Sequence, residues 1–363
     1  MNTYAEINLN AIKHNIGAIR QLLSPAVKFM AVVKANAYGH GSVAVARAAV
    51  EAGSHYLAVA NLREAMELRE AGIVSPILIL TESPTSVMDE IVQYDLTQTV
   101  YSFKEAKALS DEAEKRKKSA KVHIKVDTGM ARVGVSPSEA VAFISKASSL
   151  PALQIEGIFT HFAKAEDPHD NFTNGQFERF QNIVAKVPFI PVKHAANSAA
   201  VLFHPTTHLD MVRVGLMLYG LYPSGNARRL VELKSALSFK SRVTHLKKVP
   251  TGTPISYGCT YITKSESSIA TIPVGYADGF SRRLSNRGQV IIRGKRFPVV
   301  GTVTMDLIMV CVGDAKVEVG DEVILIGEQS GQLISADEIA QLEDTISYEV
   351  ICSIGKRVPR IYK

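Results

Sequence analysis

The stretch "VKFMAVVKANAYGHG", residues 27–41, decides how the rest of the chain is read. Its first half is a short apolar run of Val, Phe, Met and Ala that ends at one lysine, Lys34. Such a run is what a strand covered on both faces requires. Behind Lys34 the chain turns glycine-rich, with Tyr38 set before Gly39 and Gly41. Two glycines around a tight turn let backbone approach a ligand. A solvated cap is the ordinary role of a strand-end lysine. A buried, reactive amine is the other reading.

Seven further runs of the same kind follow: "HYLAVA" (55–60), "PILIL" (76–80), "LTQTV" (96–100), "KVHIKVD" (121–127), "LQIEGIFTH" (153–161), "PVKHAA" (191–196) and "LDMVRVG" (209–215). The segments between them read as helices. "LREAMELREAG" (62–72) has apolar residues at helical spacing and ends in Gly. "SFKEAKALSDEAEKRKK" (102–118) opens on a serine and closes in lysines, which suits the helix dipole. "SPSEAVAFISKAS" (136–148) begins with the Ser, Pro and Glu of a helix start. Eight strand–helix units in series predict an α/β fold, the (β/α)8 TIM barrel. A doubly wound open sheet fits the same alternation.

After about residue 232 the texture changes. Strand-like runs at 236–249, 267–277, 289–312 and 321–327 are separated by Gly and Pro. This predicts a C-terminal, mostly-β domain over 233–363, behind a barrel over 1–232. The boundary near residues 222–229 carries Pro223, Gly225 and Asn226. The opening residues, 1–8, alternate like a strand and are expected to join the second domain's sheet.

Composition limits the alternatives. The 363 residues are 46% apolar and 21% charged, as in a soluble globular protein. The net charge of +6 is scattered, with local clusters at 115–118 and 282–287, so the basic residues read as solvated faces and not as a nucleic-acid surface. Cys259, Cys311 and Cys352 are too few and too far apart for a disulfide framework or a zinc site. No run approaches the ~18 apolar residues of a membrane span. The N-terminus lacks a signal-peptide profile, and a cytoplasmic location is expected.

In a barrel of this kind chemistry gathers at the C-terminal strand ends. Lys34 ends the first strand. Lys125, Asp127 and Arg132 follow the fifth, His161 the sixth, Asn197 and Ser198 the seventh, and Arg213 precedes Gly215 on the eighth. Each has a structural reading too: Arg213 between two valines, His161 as a core histidine, "VKHAANSAA" as a strand and helix cap. Together they form a rim of cations and hydroxyls with neither a carboxylate pair nor metal-ligand spacing; "THFAKAEDPHD" (160–170) fits no standard metal pattern. A lysine amine whose pKa is lowered by burial can form a Schiff base with an aldehyde, and pyridoxal 5'-phosphate is the obvious one.

At this point the chain resembles a known family. "AVVKANAYGHG", "VDTGMARVG", "THFA", "HAANSAA", "VRVGLMLYG", "ISYGCTY", "PVGYADG", "TMD" and "YEVICSIGKRVPRIY" are similar, in this order, to the motifs of alanine racemases. The resemblance implies pyridoxal 5'-phosphate as a Schiff base on Lys34. It places Tyr38, Ser198 and Tyr348, with the backbone of Gly215 and Leu216, at the phosphate. Arg213 faces the ring nitrogen, with His161 bonded to it. Arg132 and the Met305 N–H take the substrate carboxylate, and Lys125 matches a carbamylated lysine that positions Arg132. Tyr257 is the second base, with Tyr276 and Asp306 near it. The resemblance further implies a head-to-tail homodimer in which Tyr257, Tyr276 and Met305 come from the other copy.

Racemisation needs a base on each face of the α-carbon. By the resemblance Lys34 serves the D-enantiomer and Tyr257 the L-enantiomer. The expected function is interconversion of L- and D-alanine, with D-alanine supplied to peptidoglycan or L-alanine degraded through the D form. A racemase of serine, lysine or several amino acids, a decarboxylase of the same architecture, and a non-catalytic pyridoxal-phosphate protein are the rivals. The chain departs from the family at Thr302, Thr304 and Leu307, where Arg, Cys or Ser, and Gln are common.

Overall fold

The computed structural model describes residues 2–363, the side chains of Asn226 and Arg229 excepted. The chain divides into two compact units. One contains residues 11–37 and 42–234. The other contains the N-terminal residues to Asn10, residues 38–41 and residues 235–363.

The first strand, β1 (Tyr4–Ile7), belongs to the second unit. The eight strands of the first unit follow: β2 (Lys28–Val32), β3 (Tyr56–Val59), β4 (Ile77–Ile79), β5 (Thr97–Val100), β6 (Ala120–Lys125), β7 (Leu153–Phe159), β8 (Val192–His194) and β9 (Met211–Val214). All are parallel, and the sheet runs β8-β7-β6-β5-β4-β3-β2-β9. Its two ends meet through Asp210 N–H to Lys193 O at 3.1 Å and Arg213 N–H to Ala196 O at 3.0 Å. The sheet is thus a nearly closed barrel, not the open alternative. Each apolar run of the sequence forms a strand because helices cover its outer side while side chains fill the inside. The helix expected from Ser136 begins later, at Ala140. Ser102 precedes its helix without capping it, its hydroxyl turning to Glu105.

The turn behind β2 departs from expectation. Gly39 and Gly41 have positive φ, as a tight turn at glycine allows, but so do the residues before them: Ala35, Asn36, Ala37 and Tyr38 all lie at φ between 51° and 53°. Four consecutive L-residues in a left-handed turn cost roughly 1–2 kcal/mol each. Two local bonds and one from farther along the chain hold the turn: Ala37 N–H to Val33 O at 2.9 Å, Ser42 N–H to Asn36 Oδ1 at 3.0 Å, and Ala35 N–H to Glu64 Oε1 at 2.7 Å. Gly39 then continues at φ 84°, where a Cβ would stand 2.4 Å from Ile351 O.

In the second unit, β1 lies between the strand Leu237–Arg242, antiparallel, and the strand Arg360–Tyr362, parallel. A separate three-stranded sheet joins His245–Val249, Ser267–Ile272 and Ile308–Gly313. Two short helices, Ala336–Glu343 and Ser347–Ser353, interrupt the strands. Among the described residues no helix is long and apolar enough to cross a membrane.

Candidate active site

In the first unit, the strand ends gather the expected cations. Lys34 stands two residues past β2 and is half-buried. Lys125, the last residue of β6, is buried beside the Phe159 ring. Burial first, then the charges of Arg132 and Arg213, pull its pKa down to about 8. Asp127 shapes the loop that follows. Its Oδ1 accepts from the N–H groups of Gly129, Met130 and Ala131 and its Oδ2 from that of Arg132, at 2.8–3.1 Å. Burial alone would raise its pKa, but these four bonds hold it below the usual value. The carboxylate is thereby spent on loop geometry, and Arg132 is left exposed at the loop's end.

Arg213 is 4% exposed and no carboxylate touches it. Its Nη2 donates to Thr160 O and Ala195 O, both at 2.8 Å, and lies 3.2 Å from His161 Nδ1. Burial pulls its pKa down to about 9, which leaves it cationic at neutral pH. His161 is held neutral, by burial and then by Arg213, Arg132, Lys125 and Lys34. Ser198 opens a short helix capped by Asn197, and its Oγ accepts the Gly215 N–H at 3.0 Å. Leu216 begins the 3-10 turn Leu216–Tyr219, which Tyr219 ties to Val32 O at 2.9 Å.

Sequence reading missed what lies beneath Arg213. Its Nη1 donates to His194 Nδ1 at 3.0 Å. Arginine has only protons to give, so Nδ1 accepts and His194 carries its proton on Nε2. That atom is 2.8 Å from His123 Nδ1, which must accept in turn, so His123 carries its proton on Nε2. His123 Nε2 faces Glu156 Oε2 at 3.5 Å, a polar contact longer than a good hydrogen bond, and neither atom has a hydrogen-bond partner. Tyr56 donates to the other Glu156 oxygen at 2.8 Å. Two hydrogen bonds of fixed direction thus run from a buried arginine to His123, which faces a half-buried carboxylate, across β9, β8, β6 and β7. The available signal was a histidine in each of the strand runs "KVHIKVD" and "PVKHAA".

The second unit holds the remaining candidates in two places. Tyr38 and Tyr348 face each other with ring centroids 6.0 Å apart, and burial pushes the Tyr38 phenol pKa up. Elsewhere, Tyr257, Tyr276 and residues 302–307 line an open groove of about 870 Å³. Tyr257, Tyr276 and Met305 are 75%, 44% and 51% exposed. Tyr276 N–H donates to Thr304 O and Ala277 N–H to Met305 O, both at 3.1 Å. A Cβ on Gly275 would stand 2.3 Å from both carbonyl oxygens, so only glycine permits this approach. Arg357 joins Asp306 at 2.8 Å to Asp278 at 2.7 Å.

A family model for the alanine racemase N-terminal domain matches residues 7–223, and one for the C-terminal domain matches residues 236–362. The chain belongs to the alanine racemase family. It is 49% identical to an alanine racemase of Halothermothrix orenii, over 99% of this chain and 97% of that one. A solved alanine racemase of Clostridium difficile 630 superposes with a TM-score of 0.96, at 41% identity, covering 100% of this chain and 96% of that one. An alanine racemase of Bartonella henselae, solved with covalently bound pyridoxal phosphate, gives a TM-score of 0.89 at 30% identity, with 100% of both chains covered.

Proposed function

We propose that this chain interconverts L-alanine and D-alanine, using pyridoxal 5'-phosphate held by the Lys34 amine. The observation that carries the reading is the charge of the first unit's rim. Lys34, Lys125, Arg132 and Arg213 all act electrostatically on His161, while the nearby Asp127 is engaged by four backbone N–H groups. Such a set asks for anions. A cofactor phosphate and a substrate carboxylate supply two, so the residues fit the group.

When bound, pyridoxal 5'-phosphate supplies the electron-withdrawing ring that acidifies the α-proton of an amino acid. Ser198, with the backbone at Gly215 and Leu216, holds the phosphate, and the family resemblance adds Tyr38 and Tyr348. Arg213 holds the ring-nitrogen side. Cationic at neutral pH and without a carboxylate partner, it orients but transfers no proton. Arg132 and the Met305 N–H orient the substrate carboxylate. Lys125 supports Arg132: at a pKa of about 8 part of it is neutral amine at pH 7, the form that carbamylates. Lys34 Nζ moves the proton on one face, for D-alanine. The Tyr257 hydroxyl moves it on the other, for L-alanine.

The exposure of Tyr257, Tyr276 and Met305 around an open groove supports their donation to a second copy, in a homodimer with shared sites. In this reading the product D-alanine serves peptidoglycan, in the cytoplasm. Pure protein incubated with L-alanine should lose optical rotation to zero. Rotation that stays constant refutes the reading, and a panel including serine and lysine fixes the breadth of substrates.

A further inference from the structure

Ser256, next to Tyr257, has φ 62° and ψ −176°, a conformation essentially confined to glycine. Gly258 and Cys259 on the other side also have positive φ, 74° and 49°. Such backbone persists only where its surroundings over-determine it. Two hydrogen bonds do so, and both involve Thr302. Ser256 Oγ donates to Thr302 O at 2.6 Å, and Thr302 Oγ1 donates to the Tyr257 carbonyl at 2.8 Å. Thr302 is 8% exposed, so its hydroxyl has little water to fall back on. The approach is close because Gly301 has no side chain: a Cβ there would stand 2.7 Å from Ile255 O and 2.8 Å from Ser256 Cβ. Asn286 accepts the Gly301 N–H at 2.6 Å and Ser285 the Val303 N–H at 3.0 Å, which pins the Thr302 side of the contact independently.

We propose that Thr302 and Ser256 form a reciprocal hydroxyl clamp, and that Thr302 is a positioning residue for the Tyr257 base. The proposal rests on the reading of Tyr257 as the base on the L face. Thr302 touches no reacting atom. It fixes the carbonyl of Tyr257, and with it the origin from which the phenol reaches. The Met305 turn is held separately, by Thr304 N–H to Leu307 O at 3.1 Å and Leu307 N–H to Thr304 Oγ1 at 3.1 Å. Loss of the Thr302 hydroxyl should therefore affect proton transfer and leave carboxylate binding alone.

The test compares Thr302→Val, which keeps shape and removes the hydroxyl, with Thr302→Ser, which keeps the hydroxyl. In the holoenzyme, Thr302→Val should lower kcat by about ten- to a hundredfold while KM changes by less than about twofold. The isotope effect with α-deuterated L-alanine should rise, and that with α-deuterated D-alanine should fall, because the Lys34 step then limits less. Thr302→Ser should restore kcat to within about threefold. Hydrogen exchange of a peptide spanning 255–262 should speed up by about tenfold in Thr302→Val and not in Thr302→Ser. Unchanged exchange in Thr302→Val shows that the Thr302 hydroxyl does not hold the turn, which overturns the proposal whatever Tyr257 does. Faster exchange with unchanged kcat and isotope effects refutes the positioning role. An active Tyr257→Phe variant, by contrast, overturns the assignment of the base and leaves the exchange result standing.

Discussion

Both candidate bases stand beside backbone that L-residues rarely adopt, and the two turns are held in different ways. Behind Lys34, four residues in succession are left-handed, and the bonds that hold them come from within a few positions and from Glu64 on the helix Leu62–Glu70. Around Tyr257 the unusual φ values belong to Ser256, Gly258 and Cys259, and the restraint comes from a segment more than forty residues away. Lys34 is half-buried among cations, whereas Tyr257 is 75% exposed. The lysine turn combines bonds between near neighbours with one from Glu64. The tyrosine turn depends on tertiary contacts at its base and, in the proposed dimer, on a second copy at its tip.

The largest effects should come from removing the two groups. Lys34→Ala should abolish racemisation and the borohydride-trapped cofactor adduct together; trapping at another lysine breaks the assignment. Tyr257→Phe should lower racemisation by about 10²–10⁴-fold while the cofactor absorbance stays. Loss of both signals would mean that the tyrosine, too, holds the cofactor.

Acid should then separate the barrel from a fold without buried histidines. His123, His161 and His194 are held neutral, each first by burial, so their folded pKa values lie below the unfolded value of about 6.5. Their neutral forms favour the fold fully above that pH, and the contribution is lost as pH falls below it. Each histidine should add a slope of about 1.4 kcal/mol per pH unit below pH 6.5 until its folded pKa is reached. Urea unfolding measured between pH 7 and 5 gives the slope, and His123→Gln should reduce it by about one proton. An unchanged slope would remove His123 from the buried network.

Smaller effects probe the lysine turn itself. Asn36→Ala replaces a residue that tolerates the left-handed region and deletes the acceptor for Ser42 N–H, so it should cost about 1–3 kcal/mol in urea unfolding. Ala35→Gly should stabilise by up to about 1 kcal/mol, the reverse of its effect in an ordinary helix. A loss of stability would show that the turn is held too tightly for its dihedral cost to matter.

The barrel was legible because its signal is repeated and local. Runs such as "PILIL" and "LDMVRVG" must be strands if both faces are covered, and the polar residues at their ends then fall together. The left-handed turn was not legible. Asn36 alone tolerates that conformation, and Ala35 and Ala37 argue against it. The run of contacts through His194, His123 and Glu156 was hidden because alternation along a strand does not say which neighbour an inward polar side chain meets. Thr302 read only as a departure from its family until its hydroxyl was found on the Tyr257 carbonyl.

The sequence by itself determined the order of strands and helices, the change to β-structure after residue 232, and the chemistry of the residues at the strand ends. These follow from period, length and residue type, which are properties of neighbours in the chain. Tertiary structure alone decided that Arg213 has no carboxylate, that Asp127 is spent on backbone, and that Thr302 holds the turn of Tyr257. Hydrogen bonds are satisfied in space, by whichever donor and acceptor the packing brings within about 3 Å.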